Sequence, residues 1–185
     1  IGGNLGTSSP AGDGLPVLAA LDATVHVVSS NGSRDIPFAE FMVGPKRNSL
    51  QRGELITGVT VPVLPGHESG AKWGWQGYAK VGVRNAMVIS AAGVALVADA
   101  TQRSVRVALG SVGPTILRAP ECERFVVEHC DFGSRSLSEA NLKEAAAFAA
   151  SAASPITDHR STAEYRRHAV GVLTGRLLRR AFPNG

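Results

Sequence analysis

Ile1-Gly2-Gly3-Asn4-Leu5-Gly6-Thr7-Ser8-Ser9-Pro10-Ala11-Gly12-Asp13 opens the chain and runs into a short apolar helical segment, Pro16 to Leu21. Its four glycines let the backbone turn tightly and leave N–H groups uncovered by side chains. Successive bare N–H groups form a nest for an anion, and a helix N-terminus behind them adds positive potential. Phosphate or pyrophosphate is the natural guest, and Asn4, Thr7, Ser8 and Ser9 offer further hydrogen bonds. The stretch is not a Walker loop, because no Gly-Lys-Ser/Thr follows, and it is not G-x-G-x-x-G after a strand. On its own it fits a plain turn as well as an anion cradle.

Outward from this stretch the pattern turns to strands. Ala23 to Val28 reads as a strand, Ser29 to Ser33 as a hairpin turn with Asn31-Gly32 at its centre, and Arg34 to Ile36 as the returning strand. Pro37 to Met42 is a helical turn that packs Phe38 and Phe41, and Gly44 to Gly53 is a polar, basic loop. In the strand that follows, alternation sets Leu55, Val59 and Val61 on one face and Ile56 on the other, until Pro62 ends it. Pro65 to Gly70 is a loop. Lys72 to Val81 alternates again, with Trp73, Trp75, Ala79 and Val81 opposite Lys72, Gln76, Tyr78 and Lys80.

From Met87 the composition shifts. Met87 to Asp99 is a continuous apolar strand suited to burial on both faces, and Ser104 to Leu109 pairs with it as a second hairpin. Pro120 to Cys130 is a helix with Pro in its first turn. Ser136-x-x-Glu139 and Ser161-x-x-Glu164 read as capping boxes for two more helices. The first is mostly Ala; the second carries an apolar stripe of Val170, Leu173, Leu177 and Ala181. Asp158-His159 invites a catalytic reading, but adjacent residues normally point apart and no nucleophile is linked to them. Arg160, Arg166 and Arg167 fit pairing with carboxylates of this chain or of a partner.

Composition excludes several classes. A net charge of +4 with 5% aromatic residues is too weakly basic and too poor in stacking groups for a nucleic-acid binder. No apolar run approaches the roughly 18 residues that span a bilayer. Cys122 and Cys130 show neither zinc-ligand spacing nor the four ligands of an iron–sulfur cluster, and read as buried thiols of a cytoplasmic protein.

Ile1-Gly2-Gly3-Asn4, Ser9-Pro10, Asp13, Pro16 and Leu21-Asp22-Ala23 together resemble the second flavin-binding motif in the FAD-binding (medium) subunits of molybdenum hydroxylases. That family includes carbon monoxide dehydrogenases, xanthine dehydrogenases and aldehyde oxidases. Three further segments are similar in the same order: Gly53-Glu54-Leu55-Ile56-Thr57, Tyr78-Ala79-Lys80-Val81-Gly82-Val83-Arg84, and Pro155 to Arg167. One departure is clear. The family often places an acidic residue after the arginine, whereas Arg84-Asn85-Ala86-Met87-Val88-Ile89-Ser90 has none.

The resemblance implies an α+β fold: a mainly antiparallel FAD-binding subdomain over residues 1–83, then a C-terminal domain of antiparallel sheet and helices over 84–185. It implies FAD as cofactor. Gly2, Gly3 and Asn4 would hold the pyrophosphate, with Ile1 at the edge of the motif. Thr7 would bond phosphate or the flavin side, and Asp13 a ribityl hydroxyl, although Asp13 also suits a helix N-cap. Ile56 would lie on the ring system, although a sheet-core Ile fits it equally, and Lys80 would reach the flavin. No residue is needed as a catalytic acid or base. The family's first flavin motif, an Ala-Gly-Gly-Thr-type loop, is not in this sequence, and the start without Met points to an upstream N-terminal segment of the same subunit.

The implied partners are a large subunit with the molybdenum cofactor and a small subunit with [2Fe–2S] clusters, in a heterotrimer able to dimerise. Electrons would pass from the clusters through FAD to NAD or another acceptor. The alternative is a non-catalytic assembly or anion-binding module without flavin.

Overall fold

In the computed structural model, which describes residues 1–66, 72–85 and 87–185, glycine does not keep the start of the chain open. Gly2–Thr7 is a short helix, α1, anchored by buried Leu5. Ser8 ends it in the left-handed conformation (φ 46°), and its N–H bonds the carbonyls of Asn4 and Leu5. A turn then leads into α2, Gly14–Ala20, which buries Leu15 and Leu18.

β1 (Thr24–Ser29) and β2 (Gly32–Pro37) pair antiparallel from Thr24↔Pro37 to Ser29↔Gly32. The turn residues are therefore Ser30 and Asn31, one position before the expected Asn-Gly. Within this turn only Gly32 has positive φ (123°). α3 (Phe38–Phe41) buries both phenylalanines with their rings stacked 6.5 Å apart. The expected loop after it holds a small ribbon, β3 (Met42–Gly44) with β4 (Arg47–Asn48). β5 (Leu55–Thr60) takes the other edge of β1, giving the order β2-β1-β5. Ile56 pairs with Val27, and Val59 with Val25, across a bulge. The extra residue brings Ile56 and Val59 onto the same, core-packed side, where strict alternation had separated them, and leaves Leu55 70% exposed.

The second sheet is antiparallel in the order β6-β7-β8-β9: Gly74–Val81, Ala92–Asp99, Ser104–Gly110 and Leu117–Arg118. β7 starts at Ala92, not Met87, which is 92% exposed with φ 47°. Residues 67–70 of the expected loop lie outside the described residues. Three helices follow: α4 (Pro120–His129), α5 (Glu139–Ala152) and α6 (Ala163–Ala181). α5 is capped by Ser138, which accepts from the Asn141 N–H, and α6 by Thr162, which accepts from the Tyr165 N–H. Ser136 and Ser161, the expected caps, instead bridge through their backbones to Asp131 and Asp158.

Every residue of β7 is buried, because both its faces are covered. Val94, Leu96 and Ala98 join Trp73, Val107, Leu109 and the apolar sides of α4–α6. Ala95 and Val97, with Ala108 of β8, face the other way into the core of α2 and the first sheet. Gly110 permits this contact, since a Cβ there would stand 2.6 Å from Pro16. The expected division at Val83 therefore falls on the wrong side of β6. That strand pairs with β7 along its whole length, from Gly74↔Asp99 to Val81↔Ala92, and belongs to the second sheet.

Candidate functional site

α2 lies on β7 and β8, and this places Asp13, the residue before α2, over the face of β6 that carries Tyr78 and Lys80. Alternation puts those two side chains on one side of the strand. Asp13 Oδ1 accepts from Tyr78 Oη at 2.9 Å and from Ser90 Oγ at 2.5 Å. Its Oδ2 accepts from Lys80 Nζ at 2.5 Å, and Lys80 also donates to the Val88 carbonyl at 3.2 Å. Burial pushes the Asp13 carboxyl up, but hydrogen bonds from Lys80, Ser90 and Tyr78 and the Lys80 charge outweigh it, so it titrates below its ordinary value. Burial, and secondarily the Asp13 charge, raises the Tyr78 phenol well above its usual range, so it stays a donor.

Asp13 does not cap α2 with its side chain. Asn4 serves that helix instead: its Oδ1 accepts from the Gly14 N–H at 3.1 Å, joining the glycine stretch to the residue beside Asp13. The far end of α1 is held by Asn48, whose Nδ2 donates to Ser8 Oγ at 3.0 Å and to the carbonyls of Leu5 and Gly6 at 3.4 Å. The Lys46 N–H bonds the Ser8 carbonyl, and the Ser111 N–H bonds the Pro10 carbonyl. Loop 44–53 is thus the clamp on the glycine stretch.

The structure brings Asn4, Asp13 and Lys80 together, with Gly2 and Gly3 on the same turn as Asn4. Ile1 is 80% exposed at the start of α1, and Thr7 is exposed at its other end. Ile56 is half-buried against the first core, on the strand that touches α1. Tyr78, Ser90 and Asn48 are the members that sequence reasoning left without a role. Tyr78 could have been found from its two-residue spacing to Lys80; nothing in the sequence marks Ser90.

The opening helix bears on what such a site can hold. Gly2, Gly3 and Gly6 have ordinary negative φ, and a Cβ on any of them would meet nothing within 4 Å. The fold therefore does not require glycine there, and each costs about 0.8–1 kcal/mol of helix propensity relative to Ala. Bare backbone at the first turn, with N–H groups that lack intrahelical acceptors, suits close approach of an anion from outside. Together with a lysine fixed nearby, these residues fit a dinucleotide such as FAD.

Two other constellations fail as active sites. His26 Nδ1 lies 2.6 Å from Asp35 Oδ1, and its Nε2 lies 2.7 Å from Thr60 Oγ1. This Asp–His–Thr row, unseen in the sequence, crosses three neighbouring strands. Asp35 is 67% exposed, so the row acts as a cross-strand ladder rather than a triad with a buried carboxylate. Asp158 binds buried Arg166 at 2.6 Å and Arg160 at 3.3 Å. Arg166 also donates to the carbonyls of Ala91 and Ser111, tying the start of α6 to the second sheet. The segment therefore serves helix entry and an intramolecular ion pair. Cys122 is buried and Cys130 half-buried; burial pushes their thiols up to about 12 and about 11.

The chain is thus an antiparallel α+β fold in which a bare-backbone helical turn is tied through Asn4, Gly14 and Asp13 to a lysine of the second sheet. The comparisons identify its family. Residues 1–64 match the family model described as the FAD binding domain in molybdopterin dehydrogenase, and residues 78–181 match the CO dehydrogenase flavoprotein C-terminal domain. The chain belongs to the FAD-binding medium-subunit family of the molybdenum hydroxylases. It is 34% identical over 177 residues to the glyceraldehyde dehydrogenase medium chain of Sulfolobus acidocaldarius, covering 94% of this chain and 58% of that one. The carbon monoxide dehydrogenase medium chain of Afipia carboxidovorans is 27% identical, with 98% of this chain and 59% of that one covered. A crystal structure of Cu,Mo-CO dehydrogenase superposes with a TM-score of 0.84 at 26% identity, covering 100% of this chain and 61% of its counterpart. The chain thus spans less than two thirds of the length of these relatives.

Proposed function

We propose that this chain is the FAD-carrying, electron-transferring part of a molybdenum-dependent hydroxylase or dehydrogenase. The observation that carries the reading is the link from the glycine turn through Asn4–Gly14 and Asp13 to Lys80. It joins a pyrophosphate-type cradle to a cation suited to a flavin edge. Gly2, Gly3 and Asn4 would hold the pyrophosphate through backbone N–H groups, with Ile1 at the rim and Thr7 adding its hydroxyl. Asp13 would order the loop and meet a ribityl hydroxyl; Ile56 and Lys80 would contact the ring system. FAD, when bound, supplies the redox chemistry, and the chain supplies binding, orientation and electrostatics.

In this reading a large subunit with the molybdenum cofactor oxidises the substrate, and [2Fe–2S] clusters in a small subunit relay the electrons to this chain. They leave to NAD or another acceptor. The heterotrimer, its dimerisation and a cytoplasmic location belong to the same proposal. Among the described residues no helix is long and apolar enough to cross a membrane.

The test is a visible spectrum of the gene product at full length, purified and then titrated with FAD. Flavin bands that remain with the protein through gel filtration are expected. A folded protein that never takes up flavin would sink the proposal in favour of an assembly or anion-binding module.

A further inference from the structure

Asp13 receives more donors than an ion pair needs. Lys80 takes one carboxylate oxygen, and two neutral hydroxyls, Tyr78 of β6 and Ser90 of the β6–β7 connection, share the other. The arrangement is built in. Ser90 is only 2% exposed, and a Cβ on Gly93 would stand 2.8 Å from Tyr78 Oη, so glycine at that position leaves the phenol room to reach Asp13. The β6–β7 connection lacks the acidic residue of similar segments and brings the Val88 carbonyl and Ser90 hydroxyl instead.

We propose that Tyr78 and Ser90 are positioning residues that set how much of the Lys80 charge is available to a bound flavin. Each points the positive end of an O–H dipole at Asp13 and offsets part of its negative charge. Asp13 then holds Lys80 in place without cancelling it. Without these hydroxyls the carboxylate draws on the ammonium alone, and the potential at the site becomes more negative. A negative shift disfavours the anionic reduced flavin relative to the oxidised form. The proposal rests on the FAD reading above, and it concerns two residues that would not themselves touch the cofactor.

The experiment uses the full-length gene product loaded with FAD, comparing the parent with Tyr78→Phe, Ser90→Ala and the double variant. The flavin midpoint potential is measured with reference dyes, and the Asp13 carboxyl is titrated by carbon-13 NMR in the flavin-free protein. The expected result is a more negative potential in each variant. In the double variant it should match about a tenfold loss in the preference for reduced over oxidised FAD. Asp13 should titrate at higher pH in the same variants, a readout independent of flavin. Ser90→Ala removes one atom and carries the test should Tyr78→Phe fold poorly. FAD uptake with an unmoved potential overturns this proposal alone. No uptake by the parent overturns the FAD reading and this proposal with it.

Discussion

Arg166 shows how a single residue can hold the start of a helix. It is 4% exposed, and its guanidinium joins Asp158 to the carbonyls of Ala91 and Ser111. Replacing it with Leu would leave two carbonyls without this donor and Asp158 without its closest cation, a loss of about 3 kcal/mol in urea unfolding. The Asp158 carboxyl lies at about 2, held down first by the Arg160 N–H and then by Arg166 against the effect of burial. An unfolded Asp titrates at about 3.9. The pairing therefore stabilises the fold above about pH 4, and that contribution disappears as pH falls from about 4 through about 2. Asp158→Asn should flatten the acid limb of a stability–pH curve; an unchanged limb would show that other carboxylates dominate it. The sequence offered Asp158 and three arginines but not which of them pair, because that depends on where α6 meets the sheet.

At the scale of elements, much of the fold was legible. The hairpins follow from strand patterning and turn residues, the doubly buried β7 from its unbroken apolar run, and the apolar stripe of α6 from helical periodicity. The misses share a physical cause. The bulge that turns Ile56 onto the side of Val59 is set by the partner strand β1, not by β5's own pattern. Ser136 and Ser161 have the right chemistry for caps, but their backbones are taken up in bridges, and Ser138 and Thr162 do the capping. In α1 the glycines suggested an open nest, and the structure closes it into a helical turn. That helix separates structure from function cleanly. Gly2→Ala with Gly3→Ala should raise stability, by up to about 1–2 kcal/mol from propensity, while weakening FAD binding at least tenfold. Loss of both would mark α1 as structurally constrained; loss of neither would remove it from the binding site.

For the molecule as a whole, the second sheet is shared. One face of β7 and β8 packs on α4–α6, and the other receives α2 and the core of the first sheet. The continuous apolar run of β7 announces burial on both faces but does not show which element lies on either. The two halves should therefore unfold together. Leu15→Ala, in α2, should cost about 3 kcal/mol and lower the midpoint followed by tryptophan fluorescence, although both tryptophans, Trp73 and Trp75, pack in the other core. A tryptophan transition that ignores Leu15 would mean two independent units.

The central claim is that the glycine turn and Lys80 belong to one flavin site, and the most direct measurement is an equilibrium FAD titration of the parent and of Lys80→Met. The Lys80 side chain is 31% exposed, so its loss should leave the fold intact. One FAD per chain is expected for the parent, with affinity at least tenfold weaker in Lys80→Met. Equal affinity in the two proteins, or no binding by the folded parent, would contradict it.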